Sequence, residues 1–266
     1  MTLEIVRARS RTPRKGIGAP RAVGPVALLL LWWVATAAGW ADPSILPSPL
    51  TLGRTLVTLW TQDDLLGHLG VSLTRSIVGG AIGVTTGLVL GTVSGLWQRG
   101  EELIDASMQM LRTIPILALI PLLIVWMGIG ETPKLFMIAL ATSFPMYLNS
   151  YAGIRNVDRK LVEAMRAFGL RGHRLILQVL LPLSLPSIFT GLRYSASVSV
   201  LILVAAEQVN ASRGIGYLIN TAQTYQQVDV IMICILVYAA FGLLADALVR
   251  LAERVFAPWR TSVAIR

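Results

Sequence analysis

Long apolar runs, broken at intervals by short polar stretches, recur along almost the whole chain, and this alternation constrains the fold more than any motif does. A run of about 20 apolar residues matches the hydrocarbon core of a bilayer. Backbone in lipid must satisfy its own hydrogen bonds, and a helix does so within one segment. Apolar residues make up 55% of the 266, and Asp, Glu, Lys and Arg together only 14%. That balance is a membrane protein rather than a soluble domain. The expected fold class is all-α: a polytopic membrane protein with six transmembrane helices.

The six runs are Ala22–Ala41, Ser72–Leu96, Ile114–Gly128, Pro133–Tyr151, Ile188–Ala206, and a last one that starts near Val230 and ends before Arg250. A basic tail, residues 1–21, precedes them; it carries Arg7, Arg9, Arg11, Arg14, Lys15 and Arg21, lacks apolar periodicity and reads as disordered. A basic start, an apolar middle and Ala35-Thr36-Ala37 also fit a secretory signal peptide, but the length of the run favours a retained first span. Between the first two runs a surface helix is expected around Leu52–Trp60. Trp97–Arg112 reads as a charged interval and Glu207–Asp229 as a polar stretch between the fifth and sixth spans. The transmembrane domain is thus expected over 22–257, with a second tail at 258–266.

Charge gives the orientation. Of the 23 Lys and Arg, eighteen fall in the N-terminal tail, Trp97–Arg112, Arg155–Pro182 and the segment from Arg250 onward. The opposite loops hold Arg54, Lys134 and Arg213, while Arg75 and Arg193 lie near or inside spans. Basic residues accumulate in cytoplasmic loops, so both termini and the 155–185 segment are expected on the cytoplasmic side. The basic excess therefore follows from topology and implies no nucleic acid.

The second run carries Gly79, Gly83, Gly87, Gly91 and Gly95, five glycines at strict i+4 spacing. They line one helix face without side chains, where a second helix can approach closely. Tight packing within the subunit is the favoured reading. No Gly-x-x-x-x-Gly-Lys occurs in the chain, so it has no phosphate loop of its own.

The 155–185 segment reads as a bracket of two short helices. Asp158 can cap the first, and Gly169 suits the left-handed position that ends it. The second, from about His173, puts Leu175, Ile176, Val179 and Leu180 on one face. Pro182, which lacks an amide donor, is expected to close it.

Within this bracket Glu163-Ala164, then Gly169, then nine residues and Val179-Leu180-Leu181-Pro182 resemble the cytoplasmic coupling motif of ABC importer permeases. Met165 and Val179 are apolar departures from the usual pattern. Further likeness to the nitrate/sulfonate/taurine branch runs through Ser72–Arg75, Gly128–Lys134, Phe144–Asn149, Gly191–Tyr194, Ala205–Glu207 and Gly214–Tyr217. The match extends from about Ile45 to Glu253 and is nearest the aliphatic-sulfonate permease. The resemblance implies a type I permease fold and a permease subunit of an ATP-driven, binding-protein-dependent importer of a small organic anion. Aliphatic sulfonate is first; taurine, nitrate or a pyrimidine precursor is the alternative. It also implies a location in the cytoplasmic membrane of a prokaryote. The partners would be a second permease copy, two ATP-binding cassette subunits, and a periplasmic or lipid-anchored substrate-binding protein. This chain would bind no cofactor, ATP being held by the partner ATPase. Glu163, Ala164, Met165, Gly169, Leu181 and Pro182 would couple to that subunit.

Candidates for the substrate pathway come from polarity inside the spans. An ionisable group in a span is a functional candidate by default, and an arginine fork suits a sulfonate. Arg75 and Arg193 are therefore candidates, although both sit near span ends and could snorkel. Ser195, Ser199, Glu207, Gln208 and Asn210 give the fifth span and its outer end unusual polarity; lining a pathway and bonding between helices fit them equally. The single cysteine, Cys234, and the separated His68 and His173 argue against a disulfide or a zinc site. A membrane-embedded enzyme would need a nucleophile–base pair or a metal cluster, and the spans lack acidic pairs. An ATP-independent channel or carrier would leave the bracket without a partner.

Overall fold

A computed structural model describes residues 19–40, 42–209 and 211–257. The expected tails at 1–21 and 258–266 lie almost wholly outside the described residues, as does Asn210. The chain divides between Arg54 and Thr55 into two units.

The first unit contains helix α1, Ala19–Ala37, and the start of α2, Pro49–Thr61. Trp32 donates through Nε1 to the Pro47 carbonyl at 3.2 Å, which folds the Pro-rich connection back along α1. Asp42 accepts from both the amide and the hydroxyl of Ser44, closing the turn that follows α1. Helix α2 matches the surface helix expected around Leu52–Trp60.

The second unit is all helix among the described residues: α3 Leu65–Leu96, α4 Gln98–Leu111, α5 Ile120–Met127, α6 Glu131–Arg155, α7 Arg159–Ala167, α8 Gly172–Leu175, α9 Leu181–Gln208, α10 Ile215–Thr224 and α11 Val228–Phe256. Its centre is α6, packed between α3 and α9, with α11 against the far side of α9.

Small residues explain that order. A Cβ added at Gly79 would stand 2.8 Å from the Ile138 Cβ, and one at Gly95 would stand 2.9 Å from the Ile154 Cβ. Between them, a Cβ at Gly83 would fall on the Ala139 carbonyl, and one at Gly91 would lie 2.6 Å from the Tyr147 carbonyl. The glycine face of α3 therefore lies directly on the backbone of α6, as the i+4 spacing predicts. On its other side α6 meets Gly191 and Ser187 of α9, and Ser187 donates to the Asn149 carbonyl at 2.8 Å. In lipid, where apolar exclusion does not drive helices together, close contact of this kind supplies the attraction.

Helices α3, Gly172–Gln208 and α11 are each long and apolar enough to cross a membrane. Helix α6 has the length but mixes polar residues into its apolar faces. The third span departs from expectation. Ile114–Gly128 is no straight crossing: a 3-10 turn, Ile116–Leu119, leads into α5, whose eight residues extend only about 12 Å. This segment is bent by 83° from α4. Pro115 is extended and has no amide with which to continue the ladder of α4, and Pro121 restarts the helix in its first turn. The charged interval Trp97–Arg112 holds helix α4, and the polar stretch Glu207–Asp229 holds α10.

The bracket departs too. Its first helix, α7, is capped as expected, Asp158 accepting from the Lys160 amide at 2.9 Å. Gly169 has φ +89, the left-handed conformation foreseen for it. Pro182, however, does not close the second helix. One helix runs from Gly172 to Gln208, through a widened π turn at Ile176–Leu180. The wider turn takes up the missing amide and the ring of Pro182, so the chain passes into α9 without a break.

Candidate functional site

The polar residues of the second unit gather in one buried cluster. Arg75 of α3 is 4% exposed and uses four of its five N–H groups. Nε and Nη2 hold the two oxygens of Glu131 side-on at 2.5 and 2.6 Å. Nη1 donates to Glu207 at 2.8 Å and to the Arg213 carbonyl at 2.6 Å. Arg75 therefore does not snorkel; its charge stays inside because two carboxylates come to it.

Glu207, in the last turn of α9, is 1% exposed and more heavily bonded still. Besides Arg75 it accepts from the Ser72 hydroxyl, the Gly216 amide at 2.9 Å and the Tyr238 hydroxyl at 3.0 Å. Ser72 accepts in turn from the Ile215 amide at 2.9 Å. At the start of α10 the Gly216 amide thus points at a buried carboxylate and the Ile215 amide at the serine that bonds it, where the helix dipole favours negative charge. One side chain ties α3, α9, α10 and α11 together. Glycine is required beside it: a Cβ at Gly214, whose φ is +123, would stand 2.6 Å from a Glu207 oxygen.

Glu131 opens α6, and Lys134 one turn on donates to it at 3.0 Å. Lys134 is 5% exposed, whereas the Glu131 side chain is 54% exposed and forms the mouth of the cluster.

The remaining pathway candidates separate. Ser195 is buried and donates to the Thr142 carbonyl of α6 at 2.8 Å. Ser199 pairs with Ser76 of α3 at 2.8 Å. Both therefore bond between helices, although both also border a groove of about 410 Å³ lined by Ser76, Gly80, Val84 and Leu192. Gln208 contributes its carbonyl to Asn220. Arg193 has partners other than those of Arg75: it pairs with Asp246 at 3.3 Å and Glu253 at 2.7 Å and ties α9 to α11.

At the bracket, Glu163, Ala164 and Gly169 are exposed while Met165, Leu181 and Pro182 are half-buried. Leu161, Met165, Leu170, Val179, Pro182 and Leu183 line an apolar hollow of about 400 Å³. Phe168, directly after α7, is 81% exposed.

Sequence reasoning found no acidic pair in the spans, yet folding brings Glu131 and Glu207 onto a single guanidinium. It also missed Ser72, Tyr238 and the Gly216 amide as partners of Glu207. Ser72, Glu131, Glu207 and Gly216 left a trace in the sequence, since Ser72–Arg75, Gly128–Lys134, Ala205–Glu207 and Gly214–Tyr217 carry family likeness, whereas Tyr238 left none.

Comparison with known proteins agrees with this architecture. Residues 83–257 match the family described as binding-protein-dependent transport system inner membrane component. A protein of Escherichia coli (strain K12) named as an aliphatic sulfonates transport permease is 44% identical over 88% of this chain and 89% of its own. Its counterpart of that name in Bacillus subtilis (strain 168) is 39% identical over 90% and 86%. The taurine transport system permease protein of Escherichia coli (strain K12) is 32% identical over 91% and 90%. Among solved structures, an amino acid ABC transporter superposes with a TM-score of 0.61 at 20% identity, covering 75% of this chain and 97% of that one. The inward-facing methionine ABC transporter gives 0.54 at 18%, covering 67% and 91%.

Proposed function

Since the chain belongs to the family of binding-protein-dependent transport system inner membrane components, we propose that it carries an aliphatic sulfonate through the cytoplasmic membrane as the permease subunit of an ATP-driven importer. It acts as a transport subunit and not as an enzyme, in line with relatives that are named transport permeases. The substrate rests on the 44% and 39% identity to permeases named for aliphatic sulfonates, above the 32% to the taurine permease. Taurine is itself a sulfonate, so the charged group to be moved is the same.

The observation that carries the mechanism is the unbroken helix from Gly172 to Gln208. At one end lies the bracket, where Glu163 and Ala164 are exposed on α7 and an apolar hollow opens next to Met165 and Pro182. A separate ATPase subunit docks there, on the cytoplasmic side, with Phe168 as an exposed apolar anchor. At the other end lies Glu207, at the heart of the polar cluster. A push on the bracket therefore reaches the cluster through one continuous helix about 55 Å long. ATP drives transport only by favouring one permease state over another, so the docking surface must differ between them. A second copy of the chain completes the pathway, a substrate-binding protein delivers the anion on the outer face, and both termini are cytoplasmic.

The test is reconstitution. The chain, co-expressed with its neighbouring ATPase subunit and supplied with the matching binding protein, should take up butanesulfonate into proteoliposomes only with ATP. ATP-dependent uptake of another anion with butanesulfonate ignored overturns the substrate; uptake without the ATPase subunit overturns the mechanism.

A further inference from the structure

Two buried cations face one exposed carboxylate at the mouth of the Arg75 cluster. Arg75 and Lys134 are 4% and 5% exposed, but the Glu131 side chain they share is 54% exposed. Glu207 is held by Ser72, Arg75, Gly216 and Tyr238 and has no room to leave. Among the described residues Glu131 is held by Arg75 and Lys134 alone, and its outer side is open. The charges balance while Glu131 is docked. With Glu131 turned outward, Arg75 and Lys134 exceed Glu207 by one positive charge, and a buried charge left unpaired is strongly unfavourable. An anion entering from the mouth would restore the balance.

The geometry specifies the anion. Glu131 places two oxygens on Nε and Nη2 of Arg75, the side-on bidentate arrangement. A sulfonate has three equivalent acceptor oxygens, enough to occupy both Arg75 donors and still reach Lys134. Next to Lys134 a cavity of about 20 Å³, walled by Ile120, Ile124, Ile129 and Met137, has room for about one water-sized group, so the alkyl chain of a sulfonate would stay on the open side of the mouth.

We propose that Glu131 is a displaceable internal ligand occupying an anion site, and that an alkyl sulfonate takes its place on Arg75 and Lys134. This inference rests on the sulfonate reading above and adds the residues that hold the head group. Glu131 is tethered, so its effective concentration at Arg75 is on the order of millimolar or more, and the free anion must compete with it. Binding is therefore weak, which suits a site that must release what it takes.

The experiment uses the permease–ATPase complex in phosphatidylcholine nanodiscs without binding protein, titrated calorimetrically with butanesulfonate and with neutral butyl methyl sulfone. Glu131→Gln keeps the shape but removes the competing charge, and it should tighten butanesulfonate binding at least about tenfold. Adding Lys134→Gln should reverse most of that gain, and the sulfone should respond to neither change. If Glu131→Gln does not assemble, Glu131→Asp, which keeps the charge but falls one methylene short of Arg75, should tighten butanesulfonate binding in the same direction by a smaller factor. Equal butanesulfonate binding by wild type and the assembled variant, or equal tightening for the sulfone, overturns the site. Uptake of butanesulfonate by the wild type, measured in parallel, tests the importer reading by itself.

Discussion

The Arg75 guanidinium and the Glu207 carboxylate meet at 2.8 Å, with side chains 5% and 0% exposed, across 132 positions of sequence. Neither could hold its charge there alone, because an unpaired ion out of water is penalised far more than a paired one. The same contact locks α3 to α9 and, through Ser72, Gly216 and Tyr238, to α10 and α11.

That pair predicts a non-additive mutant cycle. Glu207→Gln brings amide hydrogens to a place where Ser72, Arg75, Gly216 and Tyr238 all donate, and it leaves Arg75 short of a counter-charge. The loss should be about 3–5 kcal/mol, read as thermal unfolding in detergent. Arg75→Met should lose a similar amount. The double variant should fall well short of the sum, since each single change already breaks the same pair. Strict additivity would show that the two residues act independently.

Gly83 tests the helix contact. A Cβ there would fall on the Ala139 carbonyl and the Thr142 hydroxyl, whereas one at Gly242 of α11 meets nothing within 4 Å. Gly83→Ala should destabilise by ~1–3 kcal/mol as α3 and α6 are forced apart. Gly242→Ala should be neutral or slightly stabilising. Equal melting temperatures for the two variants would remove close approach as the role of the glycine face.

Gly169 tests the bracket by conformation alone. Its φ is +89, and an added Cβ meets nothing within 4 Å, so any penalty there is backbone strain and not collision. Gly169→Val should strain this position by roughly 1–2 kcal/mol and tilt α7 against the helix that begins at Gly172. Gly169→Asn, which tolerates the left-handed region, should be milder, and exposed Arg171→Ala milder still. Uptake and the stimulation of ATP hydrolysis by loaded binding protein should fall together in proteoliposomes at matched protein levels. Full coupled activity in Gly169→Val would show that the turn transmits nothing.

Orientation has a direct test. The chain's one cysteine, Cys234, is buried, so the background to maleimide labelling is low. Cysteines placed at Asp158 and Arg213 should label from opposite faces, with Arg213 reached from outside intact cells. Labelling of both from one face would contradict the charge argument.

The sequence by itself determined whatever depends on local pattern. Apolar run length placed the long helices, since the bilayer sets one length for all of them. The i+4 glycines marked a helix face fit for close packing, and Asp158 and Gly169 marked where α7 begins and ends, because caps and left-handed turns depend on one residue's own chemistry. Only the three-dimensional structure decided how the helices accommodate their prolines and what depends on partners far along the chain. Pro182 read as a stop, but the π turn before it let the helix run on. Ile114–Gly128 read as a span, but Pro115 and Pro121 turned it into a short bent segment. Arg75, Glu131 and Glu207 sit in three different helices, and no spacing rule joins them. Each buried charge is tolerable only through the others, and that energy exists only after α3, α6 and α9 have packed.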